Sequence, residues 1–447
     1  MAIPNARPAV KRFLADYGMV FILVLLAGYY SWATWKEQYP GGREAAAQVA
    51  AAVCNELAPG ARVLVVAHQG VEAKVFADAA TAALRDRGMD VAGVVLGDPH
   101  DLRTDLEGRA ARPGKPAAIA ATREAAEWRL MQTLPERFPS LATVRIVSPT
   151  SYWWPDFLKR SNLAAIADRI VVIAVIAIGM TMVIITGGID LSVGSLIALS
   201  AVVSTLLIRE VAGAKDATAS GMVLCCLAAV LACGAMGAFS GLMVTAFSIP
   251  PFIGTLAMML IASGTAFILA GGQSIYKVPA AIDWLGRGSS LGGIPNTVLL
   301  MVALYAGAHI LMTRTVLGRY IYAVGGNVEA ARLSGVPVRR VILFVYAVCG
   351  LLAGVGGVVQ ASQLQSGAPT YGLMYELYVI AAVVVGGTSL AGGQGRILGT
   401  LIGAFIIAVI QNGMNLTGVE SYTQKVILGA VILGAVLLDM LKKRRST

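Results

Sequence analysis

The chain has 447 residues, 57% of them hydrophobic and 13% charged, and its mean hydropathy is +0.73. A soluble domain carries about 25% charged residues, so this chain cannot clothe its length in a water-facing surface. That excludes a disordered chain and an all-soluble enzyme, and five Cys with three His are too few for a disulfide framework or a zinc cluster. What remains is a polytopic α-helical membrane protein.

The charges are unevenly placed. Residues 37–160 hold 15 Lys/Arg and 15 Asp/Glu, half of all the charged residues in the chain. The remaining positions hold 20 basic and 10 acidic residues, so the net +10 belongs to them. A normally charged domain is thus set into an apolar chain, and the basic excess reports orientation in a membrane rather than nucleic-acid binding. This predicts three parts: a first helix with its leader at 1–36, a small α/β domain at 37–155, and a membrane domain at 156–447.

The first apolar run, 17–35, follows Arg7, Lys11 and Arg12. A signal peptide shares that basic start, but the continuous length and Trp32 and Trp35 at its far end favour a retained helix with an interfacial anchor. Next comes an Ala-rich helical stretch at 43–57, then short strand patterns at 62–67, 89–96, 117–121 and 144–147 with helical stretches between. Strands separated by helices predict a parallel sheet covered on its faces. The strand ends offer His68-Gln69-Gly70 and Asp98-Pro99-His100-Asp101, where open α/β sheets place ligands. With no nucleophile or metal set beside them, polar loops and helix caps account for these residues. Tyr152-Trp153-Trp154-Pro155 suits either stacking on a sugar ring or anchoring at the membrane interface.

Nine further apolar runs follow, at 166–186, 188–208, 221–243, 252–270, 297–313, 342–361, 376–391, 398–415 and 426–440. With the first, they predict about ten transmembrane helices. An even count with a basic N-terminus inside returns the C-terminus inside, where Lys442-Lys443-Arg444-Arg445 lies. The same count puts 37–155 outside the cytoplasm and the basic segment 314–340 within it. Short loops on the outside hold Arg209, Lys215, Lys277, Arg287 and Lys425, nearly matched by acidic residues.

Segment 314–340 is too polar to span. Gly326-Asn327 is a turn and N-cap signal, Glu329-Ala330-Ala331-Arg332-Leu333-Ser334 a short helical run, and Gly335 with Pro337 its stop. A plain basic loop that anchors topology is one reading, and a docking helix is the other.

Three stretches in order carry a resemblance. Gly325-Gly326-Asn327 through Val338, the run Ile184 to Ser195 containing Gly187-Gly188-Ile189-Asp190-Leu191-Ser192-Val193-Gly194, and Val385 to Gly393 containing Gly386-Gly387 are similar to the permease subunits of ATP-binding-cassette sugar importers of the ribose and xylose type. The resemblance runs from about Phe157 to the C-terminus. It implies a homodimer in the bacterial inner membrane that translocates a monosaccharide. Cytoplasmic ATPase subunits, which use ATP and Mg, would dock on Gly326, Asn327, Glu329, Ala330, Ala331, Arg332, Leu333 and Gly335. An extracytoplasmic binding protein would deliver the substrate. The family pattern has only a short loop where 37–155 stands, so the resemblance assigns that domain no role.

The residues themselves are consistent with borrowed energy. There is no G-x-x-x-x-G-K-[ST] phosphate loop, and Arg112-Pro113-Gly114-Lys115-Pro116 lacks its spacing; no catalytic group, cofactor or metal site is expected in this chain. Only Asp190 and Glu376 qualify as ionisable residues deep in the bilayer, and both lie near a helix end. Proton or sodium coupling needs more such groups, so an ion-coupled secondary transporter with an external sensing domain stands as the alternative. Asp190 suits a helix cap or a substrate contact, and Glu376 suits the positive end of its own helix. Gln360, Gln363, Asn412 and Asn415 either line a sugar path or hydrogen-bond between helices. Gly350-x-x-x-Gly354, Gly237-x-x-x-Gly241 and Gly399-x-x-x-Gly403 predict close helix packing, and the Gly187-Gly188 and Gly386-Gly387 pairs hint at an internal duplication.

Overall fold

The computed structural model describes residues 7–110, 114–276 and 278–444. Arg112-Pro113, Lys277 and Arg445 lie outside the described residues, as do the side chains of Arg7, Lys11, Arg12 and Lys442 to Arg444. Two compact units divide the chain: Trp35–Pro155, and Met1–Thr34 joined with Asp156–Thr447.

Helix α1 (Arg7–Ala33) precedes the first of these. Within Trp35–Pro155 the order is β1 (Trp35–Gln38), α2 (Gly42–Glu56), β2 (Arg62–His68), α3 (Val71–Asp86), β3 (Asp90–Gly97), α4 (Pro99–Ala110) and β4 (Ala118–Ala121). Three one-turn helices follow, α5 (Arg123–Ala126), α6 (Arg129–Gln132) and α7 (Leu134–Arg137), then β5 (Arg145–Val147) and β6 (Tyr152–Pro155). Strands β1 and β6 pair antiparallel, Trp35 opposite Pro155 and Gln38 opposite Tyr152, which puts the aromatic cluster in a two-stranded ribbon.

The main sheet has the order β3-β2-β4-β5 and is parallel throughout. Parallel sheets are covered on both faces, so their central strands read as unbroken apolar runs. Strand β2 obeys this: Val63 to Ala67 are all fully buried. Its side chains alternate, Val63, Val65 and Ala67 packing with Phe76 and Leu84 of α3, and Leu64 and Val66 with Leu102 and Leu106 of α4. Asp98 caps α4, its Oδ1 accepting from the amides of His100 (2.8 Å) and Asp101 (3.1 Å). That gives the Asp98 carboxylate a capping role at the start of α4.

The other unit continues with α8 (Arg160–Ile185), α9 (Val193–Glu210), α10 (Ala219–Ala246), α11 (Pro251–Ala270), the one-turn α12 (Asp283–Gly286) and a small ribbon, β7 (Ser289–Leu291) with β8 (Ile294–Pro295). Then come α13 (Asn296–Arg314), α14 (Val316–Gly326), α15 (Val328–Leu333), α16 (Val338–Leu364), α17 (Tyr375–Val385), α18 (Ile397–Leu416) and α19 (Ser421–Arg444). Among the described residues seven helices are long and apolar enough to cross a membrane: α8, α9, α10, α11, α13, α16 and α18. Shorter apolar stretches are Gly18–Ala33, Tyr375–Val385 and Ser421–Leu437.

Helix α8 is apolar all round, and every residue from Ile170 to Ile185 is buried, which makes it the axis of the bundle. The glycine repeats pack inside this one chain. A Cβ on Gly350 of α16 would lie 3.0 Å from Gly237 Cα of α10, and one on Gly354 would lie 2.9 Å from Val230 Cα. On the other side a Cβ on Gly386, just past α17, would lie 2.6 Å from Gly399 O in α18. Such close backbone approach supplies the dispersion contacts that hold helices together where water drives nothing. Tyr30 of α1 donates to Ile410 O of α18 (3.3 Å), so the first helix is packed into the bundle.

Candidate functional site

Two glycine turns end α8 and α17 in the same way. Gly187 N donates to Ile184 O (2.9 Å) and Gly188 N to Val183 O (3.0 Å); Gly387 N donates to Val384 O (2.9 Å) and Thr388 N to Val383 O (3.1 Å). Both sets are the paired bonds of a Schellman cap, with φ +81° at Gly187 and +82° at Gly387, a conformation that favours glycine. The equivalence therefore matches Gly187 with Gly387, one residue displaced from the pairing of the two dipeptides that the sequence suggests. The two turns also touch: Gly393 N donates to Ile185 O (2.8 Å). Helix α17 ends at Val385, six residues before the apolar run does, because the chain turns here to make this contact.

After the first cap the chain runs non-helically from Thr186 to Ser192 before α9 begins. Asp190 is fully buried, and its Oδ1 accepts from the Ser192 amide (2.9 Å) and hydroxyl (2.6 Å). It thus holds the turn at the N-cap residue and does not cap the first-turn amides of α9. Thr255 of α11 donates to Ile189 O (3.2 Å), fixing the same turn from outside.

A second break separates α16 from α17. Residues 365–374 are non-helical, and Ser366, Gly367, Ala368 and Pro369 are buried. The freed backbone is repaired locally: Ile275 N donates to Gly367 O (2.7 Å), Gly367 N to Ile275 O (3.0 Å) and Ser366 N to Ala361 O (3.2 Å). Gln365 (φ +49°) and Met374 (φ +69°) bracket the break, two of four non-glycine residues with positive φ among the described residues. Such conformations cost about 1–3 kcal/mol each and concentrate where a protein binds or switches.

The break faces the first turn of α9. A Cβ on Gly194 would lie 2.6 Å from Gly372 O and 3.5 Å from Glu376 Cδ, so the glycine is what lets the two backbones and the carboxylate meet. Here a pocket of about 290 Å³ opens, walled by Gly194, Ser195 and Ala198 of α9, Met259, Ser263 and Phe267 of α11, Thr370 and Tyr371 of the break, and Glu376 at the start of α17. It offers hydroxyls, one carboxylate and an aromatic face, and it has the positive end of α9 beside it. Irregular backbone inside a membrane bundle is tolerated only where protein or a cavity surrounds it.

Of the residues singled out from sequence, Gly194 and Glu376 meet at this pocket. Gly187, Gly188, Asp190, Ser192, Gly386 and Gly387 shape the turns that position it. The amides lie elsewhere: Asn162 and Asn412 exchange hydrogen bonds (3.1 and 2.8 Å), Gln363 donates to the Asp168 carboxylate (3.2 Å), and Asn415 accepts from Gln424 (2.8 Å). Gln360 lies beside Tyr375. Ser195, Ser263, Thr370 and Tyr371 line the pocket unannounced by the sequence, since isolated hydroxyls in apolar runs or in the connection between two runs carry no signal of their own.

In 314–340, Asn327 caps α15 by accepting from Ala330 N (2.9 Å), and the helix stops at Gly335 (φ +82°). Glu329, Ala330, Arg332 and Leu333 are exposed, Leu333 by 86%, whereas Ala331 is only 5% exposed. Ala331 packs against the rest of the chain, so of this set its side chain alone is turned away from the exposed face of α15.

A bundle of apolar helices interrupted at a pocket is the architecture of a membrane transporter. Residues 162–436, more than half of the chain, match the family model described as branched-chain amino acid transport system / permease component. The chain is 44% identical over 308 residues to the ribose import permease protein of Escherichia coli (strain K12), covering 68% of this chain and 92% of that one. It is 42% identical over 306 residues to that of Bacillus subtilis (strain 168), with the same coverage. To the xylose transport system permease protein of Escherichia coli (strain K12) it is 32% identical over 372 residues, 69% of this chain and 93% of that one. The chain belongs to this permease family, among the sugar-importer permeases of ATP-binding-cassette systems. No solved structure matches it.

Proposed function

We propose that the chain is the membrane subunit of an ATP-driven importer that carries a neutral monosaccharide through the pocket between the α9 N-terminus and the 365–374 break. The observation that supports this best is the break itself: ten non-helical residues, packed through Gly372 against Gly194 of α9, give a wall that a bundle needing only to anchor would lack. Hydroxyls of Ser195, Ser263 and Tyr371 match a hydroxylated solute, and Phe267 offers a ring face to stack on it.

In this reading ten helices span the membrane, with both termini and α15 in the cytoplasm and Trp35–Pro155 outside. Arg319, Arg339 and Arg340 beside α15 suit the cytoplasmic side. Two copies form the pore, each docking an ATPase subunit through Glu329, Arg332 and Leu333, while an external binding protein supplies the sugar.

Uptake of radiolabelled ribose and xylose by vesicles holding the complete importer tests the pocket. Glu376→Gln and Ser195→Leu are expected to cut uptake by roughly tenfold or more, since each removes or blocks a polar contact to a bound solute. Wild-type rates in both variants would refute the pocket. Co-purification in mild detergent tests the coupling: Arg332→Glu with Leu333→Asp should release the ATPase that the wild-type chain retains. Failure of the wild type to retain an ATPase would remove the energy source.

A further inference from the structure

The β1–β6 ribbon carries aromatic rings on both of its faces. Side chains alternate along a strand, so the register that sets Glu37 opposite Trp153 and Lys36 opposite Trp154 puts Trp35 and Trp153 on one face and Tyr152 and Trp154 on the other. All four rings are 43–61% exposed. A platform that stacks on a sugar gathers its rings on one side of a site, whereas this ribbon divides them between two. Two strands alone also lack the core that would keep so much apolar surface from water. A surrounding medium, rather than one partner surface, is what rings on both faces fit.

Chain length gives that medium. The charge-free part of α1 begins after Asp16 and ends with the helix at Ala33. Positions 17–33 rise about 26 Å at ~1.5 Å each, roughly 4 Å less than the ~30 Å hydrocarbon core. With Asp16 at the inner edge, the outer edge of the core lies about 4 Å past Ala33. An extended chain advances about 3.3 Å per residue, so Trp35 stands at most roughly 3 Å, and Lys36 roughly 6 Å, beyond that edge. Trp154 is opposite Lys36, and both Trp35 and Trp154 therefore fall inside the head-group layer, about 5–8 Å deep on each side. Trp153, opposite Glu37, reaches its outer limit. Tilting α1 only draws the ribbon deeper. The returning strand is held at the same height, since Asp156 N donates to Thr34 O (3.0 Å) and Phe157 N to Thr34 Oγ1 (3.1 Å). On α1 itself Leu25, Tyr29 and Trp32 are exposed, the last two rings 6.3 Å apart, so an apolar and then aromatic surface leads along the helix to the ribbon.

We propose that the ribbon lies in the outer head-group layer of the membrane, with Trp35, Tyr152, Trp153 and Trp154 set among phospholipid head groups. Each ring keeps its apolar body beside the acyl carbons and its N–H or O–H among the carbonyl and phosphate oxygens, which is why tryptophan and tyrosine collect at this depth. The lipid surface thereby becomes a tether of the α/β unit. The placement rests on α1 crossing the membrane outward and not on what the bundle carries.

Photolabelling of the wild-type full chain in phosphatidylcholine nanodiscs tests it, with a diazirine carried either on the lipid head group or at mid-chain and adducts located by mass spectrometry of peptides. The mid-chain probe should label 18–33. The head-group probe should label 35–38 and 152–155 several-fold more than 99–110 of α4. Trp153→Asp combined with Trp154→Asp should lower head-group labelling of the unmutated 35–38 several-fold. Both residues are exposed, and unchanged hydrogen exchange in β2 certifies that the variant is folded. Labelling of 152–155 no greater than that of 99–110, loss of that labelling on adding D-ribose or D-xylose, or undiminished labelling of 35–38 in the double variant would each overturn the proposal. If 18–33 escapes the mid-chain probe, α1 does not span and the placement falls with it; if 18–33 is labelled and the ribbon is not, the placement alone falls.

Discussion

The two units of this chain make a pocket by opposite means. In the α/β unit a crevice of about 120 Å³, lined by His68, Glu72 and Glu124, comes with the topology, because strands leaving β2 in opposite directions cannot close the space between them. In the membrane unit a pocket has to be built against the default. A continuous α16 into α17 would satisfy every backbone group, yet ten residues leave the helix and two non-glycine residues take left-handed conformations to let them do so. The lesson is that the existence of a pocket carries different weight in the two places. For the membrane pocket the break itself is informative, whereas the crevice follows from the strand order alone.

The sharpest way to break this contrast is to fill the membrane contact. Gly194→Leu should abolish sugar uptake, because its Cβ would sit 2.6 Å from Gly372 O and would displace Glu376. Vesicle uptake measured with the chain still monodisperse by size exclusion checks it, and substantial transport would mean that the two segments separate freely. A test of packing comes next. Gly350→Leu forces a side chain between α10 and α16, where a Cβ has Gly237 Cα at 3.0 Å, and should cost more than the ~1–3 kcal/mol usual for overpacking a core. A fall in the detergent unfolding temperature reports it.

Leu64→Ala asks whether the units are independent. It removes a fully buried side chain between β2 and α4 at a cost of about 2–5 kcal/mol. Hydrogen exchange should rise throughout β2, β3 and β4 and stay unchanged in α10 and α16; spread into the bundle would show that the two cores are coupled. Asn327→Ala removes the α15 cap and should cost about 1 kcal/mol, read as faster exchange in 328–333. The smallest effect is expected for Asn412→Leu. It breaks the reciprocal bonds with Asn162, worth about 0.6 kcal/mol on average between membrane helices, and a thermal shift of a degree or two is the measure.

Much of this architecture is readable one residue at a time. Strand β2 announces itself because a strand covered on both faces must be apolar throughout, and α15 because Asn327 and Gly335 are chemically suited to start and stop a helix. Other features hide. The run 376–391 stays largely apolar past Val385, so hydropathy cannot see α17 stopping there; beyond the stop, Gly393 reaches Ile185, about two hundred residues away in sequence. Ala330 and Ala331 are identical as letters, and only the packing of α15 turns one outward and buries the other. His68 was visible at a strand end, but Glu72 and Glu124 read as ordinary helix carboxylates until the sheet order brought them to one crevice.

Composition, hydropathy and local turn chemistry, which depend on neighbours along the chain, determined that this is a helical membrane protein carrying a polar α/β segment, and where most elements start and stop. Which glycines touch, which amides pair and which carboxylates share a pocket depended on contacts between residues far apart in sequence. Such contacts exist only after the helices pack and the sheet orders its strands, so the tertiary structure alone decided them.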